Sequence, residues 1–72
     1  MNNAYTPAVF GMTVQQVGRS NKFVVVDVRD RFNPVIVAEA FGKYYATVLR
    51  NIVAGYGPEQ ASQLARIEAS LA

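Results

Sequence analysis

The side chains able to do acid–base, nucleophilic or metal chemistry are few in this 72-residue chain: five Asp or Glu, seven Lys or Arg, and neither His nor Cys. Without Cys there is no thiolate nucleophile, disulfide or zinc–thiolate site. Without His the commonest general base and metal ligand is missing, and with it every Ser-His arrangement. What remains is a set of carboxylates. Asp27 and Glu39 fall on one face of a hairpin read from residues 22–40, where a carboxylate pair could divide acid and base roles. That chemistry needs a cleft, which a chain this short rarely builds. The plainer reading sets both carboxylates in solvent, facing Lys22 or Arg29 across the hairpin. Asp27 with Asp30 lacks the glycine-punctuated acidic loop of a calcium site. Gly55 and Gly57 read as a helix terminator, and no Gly-rich phosphate loop is present. The expectation is a non-enzyme with no catalytic residue, no metal ligand and no cofactor.

Recognition chemistry is better represented. Arg29-Asp30-Arg31-Phe32 offers two guanidinium forks and an aromatic in one turn, residue types common at interface hot spots. Arg19 and Lys22 lie at the other end of the strand between them, so the cations do not form one patch. The net charge is +2 and the sequence pI about 9.3. Nucleic acid is therefore a secondary partner, with the turn arginines on phosphates and Tyr44 or Tyr5 stacking on bases. No apolar run approaches the ~20 residues of a spanning helix, and the first residues lack the pattern of a signal peptide. A cytoplasmic location follows as the expectation.

The elements that must position these residues follow from periodicity. A chain of this size buries only roughly 60% of its unfolded surface, so one small domain spanning 1–72 is expected. Residues 1–7 read as a flexible arm ending at Pro7. Residues 8–14 alternate as a third strand would, although Thr13 and Gln16 also fit a capping box opening a helical turn. Gly18-Arg19-Ser20-Asn21 is a turn. Lys22 to Val28 is a β-branched strand, 29–34 a turn carrying Pro34, and Val35 to Ala40 the returning strand. Tyr45, Val48, Leu49, Ile52, Val53 and Tyr56 then recur at helical spacing, predicting a helix over 43–55 with that stripe as its core side. In this reading Tyr44 sits at the rim. Pro58 and Glu59 open a weaker helix at 58–71, carrying Leu64, Ile67 and Leu71, within a mobile tail at 58–72. The predicted fold is α+β: an antiparallel sheet packed on one helix.

The hairpin has two apolar faces and one strong helix to cover them. Val24, Val26 and Val28 with Ile36, Ala38 and Ala40 make the wholly apolar face, with Val26 at its centre. Phe23, Val25 and Asp27 with Val35, Val37 and Glu39 make the other. Either the N-terminal strand or the C-terminal helix covers the second face, or a partner does. The expected partner-binding residues are Phe23, Val25, Arg29, Arg31, Phe32, Val35 and Val37. Self-association through the surplus face, as in a structural protein, is an alternative, and the oligomeric state is left open.

The small size, the lack of Cys and His, and the run from Lys22 to Ala40 followed by one helix resemble the small phage-encoded regulators that attack bacterial RNA polymerase. The resemblance covers about half the chain and involves no diagnostic motif, so no residue role carries over by position. It implies a host-directed binder in the host cytoplasm that contacts the large catalytic subunits of the polymerase, displaces the promoter-specificity factor and suppresses termination.

Overall fold

The structure, a computed structural model, describes residues 9–71. Three strands, β1 (Met12–Gln16), β2 (Lys22–Asp27) and β3 (Val35–Phe41), precede two helices, α1 (Lys43–Val53) and α2 (Pro58–Leu71). The strands form one open antiparallel sheet in the order β1-β2-β3. Among the described elements α1 alone packs on the sheet, and α2 packs on α1. The α+β architecture is the one the periodicity predicts.

The ambiguous run near the start resolves into a turn and a strand. Phe10 and Gly11 both have positive φ, at 48° and 79°, while Val9 and Met12 exchange backbone hydrogen bonds of 2.8 and 3.0 Å. Two left-handed residues in succession make the tight turn that suits an antiparallel pair. β1 therefore begins at Met12, four residues later than predicted, and the capping-box reading of Thr13 and Gln16 does not hold. The arm read at 1–7 lies outside the described residues.

The register corrects the assignment of the two hairpin faces. Val25 sits between Val14 and Ala38, and Phe23 between Gln16 and Ala40, while Val26 sits between Thr13 and Ile36. A shift between Val25 and Val26 leaves Val37 as an extra residue on β3, a β-bulge. A strict period of two cannot survive that insertion. Ala38 and Ala40 join Phe23 and Val25 on the face that α1 covers, where Met12, Val14, Val25 and Ala46 form the core with Leu49 and Ala54 against it. Val26 is on the outer face and not under the helix, yet it is only 5% exposed.

Gly42 alone joins β3 to α1. Its φ of 95° turns the chain sharply, and its N–H donates to Asn21 at 2.8 Å. A side chain there would be strained in the left-handed region. The helix that follows is rotated away from the predicted setting. Its buried residues are Ala46, Thr47, Arg50 and Asn51, whereas Tyr45 is 65% exposed and Ile52 and Val53 are exposed as well. The cause is α2, which clasps the polar side of α1. Asn51 donates from Nδ2 to the Ala61 carbonyl at 3.0 Å, and Arg50 donates from Nη2 to Glu68 Oε1 at 2.6 Å. Ala61 and Ala65, the buried residues of α2, are small enough to allow that approach. The tail predicted from Leu64, Ile67 and Leu71 thus docks through its alanines and leaves Ile67 and Leu71 exposed.

Candidate functional site

The carboxylates do not converge. Asp27 lies opposite Met12 and Val35, whereas Glu39 lies opposite Val24 on the outer face, so the bulge sets the two on opposite sides of the sheet. Each is paired with a cation. Arg29 grips Asp27 with its backbone N–H and Nε on Oδ1, both at 3.0 Å, and with Nη2 on Oδ2 at 2.6 Å. Lys22 Nζ stands 3.4 Å from Glu39. Hydrogen bonds from the Arg29 side chain hold the Asp27 carboxyl below its usual range, and the Asn33 amide and Phe32 N–H do the same for Asp30. Among the described residues no group of three or more His, Cys, Asp or Glu could hold a metal ion. No helix there is long and apolar enough to cross a membrane.

The expected docking residues divide into three groups. Val25 is 0% exposed and Phe23 packs against the core, so α1 covers both and they are not available to a partner. Arg29 is committed to Asp27, and its aliphatic stem lies over Gly11. The other four are open. Phe32 is 83% exposed, with the Arg31 guanidinium 5.7 Å from its ring centre. Val35 and Val37 are exposed on β3.

β3 is the site around which these residues gather. It pairs with β2 on one side only, and its other side meets no described strand. Glu39 is its single charge, and Ile36 is 61% exposed beside Val35, Val37 and Phe41. An edge strand of seven residues presents unpaired N–H and C=O groups along its length, and natural sheets usually blunt such edges with charge, proline or cover. Here the bulge is the chief irregularity.

The uncovered side of α1 adjoins this edge. The cleft between α1 and α2, about 290 Å³, is lined by Val9, Arg50, Asn51, Tyr56 and Leu64 among others. Val9 is bridged to Met12, and the Tyr56 ring lies 6.1 Å from that of Phe10. Both ties set α2 towards β1. The flank of α1 turned away from α2 carries Tyr45, Val48 and Ile52, and β3 is the strand that α1 contacts most. No charged residue falls on that flank. Sequence reasoning missed Tyr45, Ile52 and Phe41 as surface. The available signal was the pair Ala61 and Ala65, whose four-residue spacing marks the contact side of α2 better than its three larger apolar residues do.

No family model, curated protein or solved structure matches this chain.

Proposed function

We propose that the protein is a non-catalytic, protein-binding regulator that takes an extended segment of its partner onto the open edge of β3. The observation that carries this reading is the edge itself: seven residues, one of them charged, with exposed Val35, Ile36 and Val37 and the Arg31–Phe32 tip at its entrance. Main-chain hydrogen bonds to such an edge supply affinity, and alternate side chains supply selectivity. Three of the seven basic side chains are ion-paired, Lys22, Arg29 and Arg50, which favours a protein surface over a nucleic-acid backbone. The resemblance read from the sequence makes the large subunits of bacterial RNA polymerase the partner, in the host cytoplasm, with altered initiation or termination as the consequence.

The test is binding of purified bacterial RNA polymerase by the parent and by the double variant Ile36→Lys with Phe32→Ser. Both positions are exposed, so the variant should keep its circular dichroism and melting midpoint. It should bind at least tenfold more weakly, a loss above about 1.4 kcal/mol. A folded variant that binds as tightly as the parent removes β3 as the docking edge. A parent that binds no polymerase removes that partner.

A further inference from the structure

We propose that the groove between the outer edge of β1 and α2 is a docking site for the chain's own residues 1–8, which lie outside the described residues. Phe10 and Gly11, both with positive φ, are the central residues of a two-residue turn closed by Val9 and Met12. That pair exchanges both of its backbone hydrogen bonds, as the last pair of an antiparallel hairpin does. Chain entering such a turn at Val9 comes in antiparallel to β1. The free edge is on that side. Val17 bonds Lys22 and Val28 bonds Gly11, so in the unshifted β1–β2 register Thr13 and Gln15 also face β2. Met12, Val14 and Gln16 therefore turn their N–H and C=O groups outward. Met12 gives its groups to Val9, and the same register sets Pro7 opposite Val14 and Tyr5 opposite Gln16. Pro7 can accept from Val14 but has no N–H to return, a loss that sheets tolerate on an edge strand.

α2 supplies the roof of the groove. Val9 lines the cleft with Leu64, Ile67 and Leu71, so the incoming chain enters on the side of the sheet that the helices cover. Side chains alternate along a strand, so Pro7 and Tyr5 share that side with Val9. Ile67 is 56% and Leu71 81% exposed, and among the described elements α2 packs on α1 alone. Gly42 bonds Asn21, which sets the start of α1 at the Gln16 end of β1. The end of α2, antiparallel to α1, falls at that end too, so the chain from Val9 back to Tyr5 and the helix from Leu64 to Leu71 run the same way. Their lengths agree, at about 14 Å for the strand and about 10 Å for the helix. Residues 1–8 carry no charged side chain, which suits a groove walled by Leu64, Ile67 and Leu71. With the segment seated, β3 is left as the open edge of a four-stranded sheet.

Introduced thiols in the full chain test the register, since it has none of its own. Thr6→Cys with Gln15→Cys makes a facing pair about 4.5 Å apart at Cα, which should close to an intramolecular disulfide under mild oxidation. Thr6→Cys with Gln16→Cys aims the two thiols at opposite faces and should close about tenfold more slowly. Amide exchange reads the same edge in the unmodified protein. The Gln16 N–H should exchange about tenfold or more below its intrinsic rate. Ile67→Ser with Leu71→Ser should quicken that exchange while Val25 keeps its protection. Exchange of Gln16 at its intrinsic rate, or equal closure of the two thiol pairs, overturns the inference. A disulfide-linked species of twice 7.9 kDa in place of the monomer would seat the segment of a second copy in the groove, and overturns the assignment to the chain's own residues. Neither readout involves β3, so failure here leaves the docking edge proposed there intact.

Discussion

The two sides of α1 invert the usual relation between polarity and burial. The side towards α2 carries Thr47, Arg50 and Asn51, and it is buried, with Arg50 only 2% exposed. The side towards the β3 edge carries Tyr45 and Ile52, and it is open. The polar side tolerates burial because its groups are matched. The Arg50 fork holds Glu68 through both terminal nitrogens and also donates to Asn51 Oδ1, at 2.9 Å from Nη2. Asn51 in turn reaches a carbonyl of α2, and the Thr47 hydroxyl donates to Lys43 at 2.8 Å. The apolar side has no such match among the described elements. The contrast teaches that a helix's apolar stripe marks where burial is most favourable, while a matched set of polar groups can decide which side is clasped first.

Breaking the match should have the largest effect. Glu68→Ala leaves the Arg50 guanidinium buried without its carboxylate, which should cost about 3 kcal/mol or more, a large part of a small domain's stability. Chemical denaturation would measure it. An unchanged midpoint would show that α2 holds through Ala61 and Ala65 alone. On the open side, Tyr45→Ser with Ile52→Ser should change the stability of the monomer by less than about 0.5 kcal/mol. A loss of several kcal/mol there would mean that the apolar stripe is core after all, and would remove the contrast.

The smallest effect is expected at the tip beside the open edge. Asp27 and Asp30 both titrate below their usual value when folded, through Arg29 and Asn33 respectively. Their contribution is therefore present above the unfolded carboxylate value near 3.9 and is lost as pH falls through the lower folded values. Amide exchange at Arg29 and Phe32, whose N–H groups bond to these carboxylates, should quicken in that acid window relative to the pH-dependent intrinsic rate. Val25 should keep its protection. Equal loss at all three amides would tie the tip to the whole fold.

Most of the architecture was legible from residue patterns. The β-branched run at Lys22 to Val28, the stripe from Tyr45 to Tyr56 and the Pro58 start each named an element, and each element is there. Two orientations were not legible. The bulge at Val37 breaks the alternation that assigns faces, so Val25 and Phe23 read as surface although α1 covers them. The stripe on α1 showed that its two sides differ, but the choice between them lay in α2, where Glu68 and the small Ala61 and Ala65 fit Arg50 and Asn51. Of the docking residues, Arg31 and Phe32 were read from their polar, proline-bearing turn and are accessible, whereas Val35 and Val37 are accessible too but were read from a face assignment that the bulge overturns. Arg29 is accessible too, but its fork is occupied by Asp27.

The order of the elements has a kinetic consequence. Each strand pairs with its neighbour in the chain, α1 follows β3 after one residue, and α2 touches α1 alone. No described pairing of elements has to wait for a distant part of the chain to close a long loop. Such local connectivity places a domain among the fast folders of its class, with a low entropic barrier to each successive contact. It also fixes a direction during synthesis: the meander is complete before α1 emerges, and α2 arrives last to enclose Arg50.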